Sequence, residues 1–385
     1  MVHNAMCIVQ TETHIRIQDF GGEMLQESYS RPIAHKKREA QHRCNMARKP
    51  TSFDIAQLAG VSQPTVSRAL SGSPTVSEKT RLRVQAIAQQ LNYTVDKNAS
   101  SLRKRETNTL ALLFYEDPTP DETGINPFFL SMLGSITRTC ALRGYDLLIS
   151  MQHMASNWHV EFEESRKADG IILLGHGDFE PYRAKLDQLI EQGTHFVRWG
   201  HVNERNFGTV IGCDNFRGGY DATQHLIAQG RRKIAFLGHA NEHYPEFFDR
   251  YRGFCEAQRS AGIKVADARQ VDAIITEQSG HDAVNALIAG GVKFDAIFAA
   301  SDMIAIGAMR ALDEHGLDVP HDIALVGFDD LPAASLARPP LSTVQQDFRA
   351  AGEMLVDALI RRIRNEDVST AALPARLIVR RSCGG

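Results

Sequence analysis

Cysteine is sparse in this chain and shows no pairing pattern. Cys7, Cys44, Cys140, Cys213, Cys255 and Cys383 are scattered, with no C-x-x-C unit among them. That spacing argues against a disulfide frame or a zinc site and for free thiols in a reducing cytosol. No uncharged apolar run reaches the length of a membrane span. The N-terminus also lacks the basic start, apolar stretch and small-residue cleavage site of a secretory signal. A cytoplasmic protein with no membrane partner is therefore expected. Catalytic signatures are missing too: there is no GxSxG elbow, no P-loop, no HExxH and no metal-spaced cluster. Gly175-His176-Gly177 is too short a triplet to signal nucleotide binding. His239, His243 and His281 lack ligand spacing and read as surface histidines. No enzyme activity, catalytic residue, metal or cofactor is expected.

What is present is an ordinary globular composition, 43% hydrophobic and 23% charged, in a chain of 385 residues. That length accommodates two or three domains with sizeable cores. The net charge of −3 conceals an asymmetry. Residues 46–106 carry ten Lys/Arg against four Asp/Glu, residues 1–45 six against five, and residues 107–385 are left with a net −10. A basic head on an acidic body steers one end of the molecule toward a polyanion.

The basic excess coincides with TSFDIAQLAGVSQPTVSRAL, residues 51–70, which reads as a helix-turn-helix. Thr51 or Ser52 can cap the first helix by accepting from its free N–H groups. Ile55, Ala56, Leu58 and Ala59 supply its apolar face, and Gly60 breaks it in the short turn. Ser62 can cap the second helix, with Pro64 in the first turn, where it loses no intrahelical bond. Val66, Ala69 and Leu70 then point inward, leaving Gln63, Thr65, Ser67 and Arg68 outward. These are hydrogen-bonding side chains suited to base edges and phosphates. The competing reading is a plain helical hairpin with a polar face. A third helix runs from Ser77 to about Leu91, with Leu82, Val84, Ile87, Ala88 and Leu91 closing a three-helix core.

The flanks of this unit are polar. Residues 1–47 read as a disordered extension, with Met46 a candidate translation start, and residues 48–93 as the DNA-binding domain. Residues 94–106 read as a hinge linker. In it Ala99 and Leu102 form an AxxL unit whose leucine either wedges between base pairs or tacks the linker onto the body. From Thr109 onward, short apolar runs such as LALLF, GIILLG, KIAFLG and ALVGFDD alternate with helical stretches. Continuous apolar strands alternating with helices imply parallel sheets covered on both faces. The number of units suggests two doubly wound lobes, with a ligand in the crevice at the strands' carboxyl ends.

These segments carry a specific likeness. The head, from FDIAQLAG to QQLNY, and the body motifs INPFF, DNFRGG, RYRGF, FAASDMIAIGAMRAL and VPHDIALVGFDDLPAASLARPPLSTVQQDF resemble the lactose-repressor (LacI) family at its motif order and spacing. The likeness runs from about Met46 to Cys383. It implies an all-α head, a hinge, and a periplasmic-binding-protein-like body, residues 107–385. Lobe 1 would take about 107–213 and 346–374, lobe 2 about 214–343 and 375–385, with crossings near Asp214, Val344 to Gln346, and Ala375. It further implies a homodimer whose two heads read a near-palindromic double-stranded operator, in keeping with two-fold symmetry.

Carried over by position, Thr51, Ser62, Gln63, Pro64, Thr65, Ser67 and Arg68 are DNA-contacting, and Ala99 and Leu102 belong to the hinge helix. The family's hinge pattern Y-x-P-N-x-x-A-x-x-L is met here from Tyr93 to Leu102, except that Val95 replaces proline and Asp96 asparagine. In the cleft the likeness assigns effector contacts to Phe128, Phe129, Arg250, Ile275, Asp329 and Phe348. Chemically this suits a sugar: an arginine fork, a carboxylate acceptor and rings against a pyranose face. Taken singly, the phenylalanines also fit plain core, and Arg250 with Asp329 a structural ion pair. The function expected is a transcriptional repressor of carbohydrate-utilisation genes under small-molecule control. The alternatives are a periplasmic-type sugar receptor or a regulator answering a purine-like ligand. No leucine-heptad tail follows the last strand to suggest a tetramer.

Overall fold

The computed structural model describes residues 50–93, 106–116, 125–152, 155–176, 178–202 and 207–384. The expected N-terminal extension, most of the hinge, and with it Ala99 and Leu102, lie outside them. The chain divides into two units, Met1–Asp96 and Lys97–Gly385.

In the first unit three helices, α1 (Ser52–Ala59), α2 (Gln63–Leu70) and α3 (Glu78–Gln90), enclose a small core. Ile55, Ala56, Ala59, Val66, Ala69, Val84 and Ala88 are buried in it together with Val76. Gly60, at φ +60°, ends α1 in a left-handed turn that a side chain would strain. Thr51 opens α1 in a capping box with Asp54: its side chain faces the Asp54 backbone N–H, and its own N–H and hydroxyl both donate to the Asp54 carboxylate, at 2.7 Å each. Ser77 caps α3 by accepting from Thr80 N.

Two leucines depart from the expected apolar stripes. Leu58 is 63% exposed and Leu82 60% exposed. The reason is angular. Residues two apart on a helix diverge by about 200°, so Leu82 faces away from Val84. Leu58 stands about 100° from Ala59, on the outer side of Ile55. Ile55→Ala should therefore cost the head about 2–5 kcal/mol and abolish operator binding, whereas Leu58→Ala and Leu82→Ala should stay within about 0.5 kcal/mol. Thermal unfolding of the head, followed by circular dichroism, checks this.

The second unit holds two six-stranded sheets. The first takes β1 (Thr109–Glu116), β2 (Asp146–Met151), β3 (Gly170–His176), β4 (Phe196–Trp199), β5 (Thr209–Cys213) and, later in the chain, β11 (Ala371–Leu373). Its order is β11-β5-β4-β3-β1-β2, parallel at every pairing. The run in β1 shows why such strands are apolar throughout. Leu110, Leu112 and Phe114 fill the core on one face, and Ala111, Leu113 and Tyr115 the core on the other. The second sheet takes β6 (Ile234–Leu237), β7 (Gln270–Val271), β8 (Ala296–Ala299), β9 (Ala324–Asp329), β10 (Ser342–Gln346) and β12 (Ala375–Ile378). Its order is β12-β10-β9-β8-β6-β7, parallel except where β12 meets β10.

The helices flanking the body strands are α4 (Pro127–Arg143), α5 (Phe179–Glu191), α6 (Asn215–Ala228), α7 (Pro245–Ser260), α8 (Glu277–Ala289), α9 (Asp302–Glu314), α10 (Pro332–Leu336) and α11 (Phe348–Ile363). The chain passes between the sheets after Cys213, after Gln346 and after Leu373. Because β10 belongs to the second sheet as far as Gln346, the middle passage falls at Asp347, just beyond the expected boundary. Among the described residues no helix is long and apolar enough to cross a membrane.

Candidate functional site

The head presents one polar face, built on α2. Ser62, Pro64, Ser67 and Arg68 are exposed, and Gln63 and Thr65 half-buried. Ser62 and Thr65 pair through their hydroxyls at 2.8 Å. Gln63 Nε2 donates to Ser52 Oγ at 3.2 Å, which ties the start of α2 to the start of α1 beside Thr51. The seven head residues expected to touch DNA thus lie on α2 and on the adjoining end of α1. This face offers hydroxyls, an amide and a guanidinium on a short helix, the groups and shape that a major groove accepts.

The body's candidate site lies between the lobes. Phe128, Phe129, Arg250, Ile275 and Asp329 surround a cavity of about 30 Å³. Asn126 starts α4 by accepting from Phe128 N at 2.9 Å, and so sets the two phenylalanines in place. Arg250 comes from α7 and is buried. Its Nε donates to Asn215 Oδ1 at 2.8 Å, and Nη1 donates to the Ala300 carbonyl. Its guanidinium lies 3.7 Å from the centre of the Phe328 ring and 3.7 Å from Asp329 Oδ1. Burial lowers the pKa of Arg250, and Asp329 opposes that shift.

Asp329 ends β9 at φ +117°, a backbone state that costs a non-glycine residue on the order of 1–3 kcal/mol. Gln346 Nε2 donates to it at 2.6 Å. Burial pushes the Asp329 carboxyl up to about 6, against the pull of Arg250 and Gln346. Behind it Asp302 accepts from the Thr343 hydroxyl at 2.5 Å and from Leu331 N at 2.7 Å. Burial and the neighbouring Asp329 raise Asp302 well above the carboxylate range.

Phe348 is not part of the cavity lining. Asp347 caps α11 by accepting from Ala350 N, and the half-buried Phe348 ring follows that helix onto the first lobe's core. Gln346, two residues earlier on β10, takes the place at the cavity. Trp199, Glu246 and Phe247 also line it, as does Gly175 of the triplet judged too short for nucleotide binding. The sequence signal that points to Trp199 and Gly175 is their position at the carboxyl ends of β4 and β3.

The lobes are clasped by polar contacts. His201 Nε2 lies 2.7 Å from Asp249 Oδ2, and His243 Nδ1 lies 2.9 Å from Asp178 Oδ1. Phe179 N donates to the His243 carbonyl at 2.9 Å. The surface reading of the histidines therefore needs correcting. His239 is largely covered, its ring stacked 4.0 Å from Tyr244. His281 is largely covered against Glu314, at 2.8 Å. Of these three only His243 is well exposed, and it bridges the lobes.

A helix-turn-helix reader on the same chain as a two-lobed body with a buried polar cleft defines the class of ligand-controlled transcriptional regulators. Residues 53–96 match the bacterial regulatory proteins of the lacI family, and residues 223–383 match the periplasmic binding protein-like domain. The ribose operon repressor of Escherichia coli (strain K12) is 31% identical over 316 residues, covering 81% of this chain and 93% of that protein. Among solved structures, the lac repressor dimer bound to operator and the anti-inducer ONPF superposes with a TM-score of 0.74 at 25% identity, over 87% of this chain and 99% of that one. A complex of the transcriptional regulator CelR with cellobiose gives 0.64 at 29% identity, over 86% of this chain and 99% of that one. The chain belongs to the lacI family of bacterial transcriptional regulators.

Proposed function

We propose that this protein is a homodimeric repressor of carbohydrate-utilisation genes. Its paired heads read a near-palindromic operator through Arg68, Gln63 and the hydroxyls of α2, and a sugar in the interlobe cleft sets their grip. One observation carries the sugar reading: Arg250, Asp329 and the rings of Phe128, Phe129 and Trp199 converge on one cavity at the strands' carboxyl ends. A guanidinium donates and a carboxylate accepts from adjacent hydroxyls, while the rings cover the apolar face of a pyranose. The cellobiose complex of CelR supports a saccharide as the first ligand class to try. Two-fold pairing of heads suits a palindrome, and the lac repressor relative is a dimer on its operator. The cavity as closed holds about one water, so a sugar enters only when the lobes part. Whatever ligand prefers one lobe arrangement shifts the equilibrium by its difference in affinity for the two. The head and the family membership weigh against a transport receptor. The test is to select a duplex from a randomised pool with the full chain, and then to compete it off with saccharides. Selection of a palindrome whose occupancy a saccharide alters supports the reading. Failure to enrich any duplex rejects it.

A further inference from the structure

The cleft does not end at the cavity beside Arg250. A second cavity of about 20 Å³ shares Gly175, Trp199 and Glu246 with it and continues among Tyr115, Asp178, Phe179, Tyr182, Arg198 and Pro245. Its walls repeat the chemistry of the first. The Tyr115 and Tyr182 rings stack at 5.2 Å with 8° between their planes, and Phe179 meets Tyr182 edge-on at 6.1 Å. Arg198 is 2% exposed in the middle of an apolar strand, its guanidinium 5.7 Å from the Phe179 ring centre and its Nε donating to the Phe207 carbonyl. A Cβ at Gly200 would fall 2.6 Å from Arg198 Nη1 and 3.4 Å from Glu246 Oε1. The cation and the carboxylate thus both stand over Gly200, at the boundary of the two cavities. Each compartment therefore holds a guanidinium braced on an aromatic ring, with a carboxylate beside it.

The same clasp closes both compartments. Asp178, on the wall of the second, pairs with His243 from the opposite lobe, and Pro245 and Glu246 come from the first turn of α7, the helix that carries Arg250.

Resting on the sugar reading above, we propose that the effector has two sugar rings. One ring sits at Arg250 and Asp329, the other at Arg198, Tyr182 and Phe179, with Trp199 between them. Aromatic faces interleaved with charged hydrogen-bonding groups are the lining a second pyranose needs. The full chain is titrated calorimetrically with cellobiose, maltose, lactose and sucrose, and with glucose, galactose and fructose. At least one disaccharide should bind about tenfold or more tighter than either of its component monosaccharides. Phe179→Ala, at a partly exposed position, should lower that disaccharide's affinity about tenfold and leave the monosaccharide's unchanged. Tyr182→Phe, the milder variant, should act in the same direction, with retained operator binding reporting an intact fold. A monosaccharide that binds as tightly as every disaccharide, with Phe179→Ala indifferent to both, overturns the second compartment and leaves the sugar cleft standing. Absence of binding by every saccharide removes the sugar reading, and the second ring with it.

Discussion

An Asp329→Asn protein is expected to bind operator as the unsubstituted chain does and to lose its response to the effector. Asparagine keeps the shape and can still accept from Gln346, so the strained turn at the end of β9 should survive. What disappears is the charge that faces Arg250 and the strong acceptor offered to ligand hydroxyls. Two charge-assisted hydrogen bonds at about 1.5 kcal/mol each amount to roughly a hundredfold loss of effector affinity. The head is a separate unit with its own core, so its affinity for DNA should hold. Titration of effector against operator-bound protein measures the loss. A mutant that responds at the same effector concentration would remove Asp329 from the site.

The same carboxyl adds a pH dependence. Its pKa is raised to about 6, so it is charged above that pH and takes up a proton as pH falls through it. Effector affinity should therefore hold from pH 7 to 8 and fall below about 6, by up to about tenfold per pH unit. Asp329→Asn should lack that acid limb.

The second large effect belongs to Arg68. It is the exposed guanidinium on the outward face of α2, one turn beyond Gln63 and Pro64. A guanidinium there can fork onto guanine O6 and N7, a pairing that contributes about 1–3 kcal/mol of discrimination. Arg68→Ala should relax the preference at one base position in each half-site and lower affinity for the selected duplex by that amount. The hydroxyls of Ser62, Thr65 and Ser67 are proposed to act instead on phosphates, which position the helix without specifying sequence. Serine-to-alanine changes at Ser62 and Ser67 should accordingly weaken binding to all duplexes alike. If Arg68→Ala discriminates between single-base operator variants as before, Arg68 does not read bases.

The sequence disclosed most where local periodicity decides the outcome. The apolar runs from Leu110 to Tyr115 and from Ala324 to Phe328 are buried on both faces, and a strand of that kind is legible from its own residues. The head helices were equally plain in extent. Leu58 and Leu82 depart from the apolar stripes because apolar type alone does not fix a residue's angle around the helix. The cleft was legible only in part. Arg250 and Asp329 stand in recognisable motifs, whereas Trp199, Glu246 and Gln346 meet at the cavity because the sheets align strand ends far apart in the chain. No local pattern marks such residues. Phe348 is assigned to the cleft by family position alone, while the start of α11 turns it onto the first lobe's core.

Coupling between cleft and head, as proposed, is reciprocal. The direct measurement is operator affinity of the full chain at one fixed salt concentration, with and without a saturating saccharide, together with saccharide affinity on and off the operator. The expected result is a change of about 5- to 150-fold in the first and an equal factor in the second. A saccharide that binds the cleft yet leaves operator affinity unmoved would contradict it.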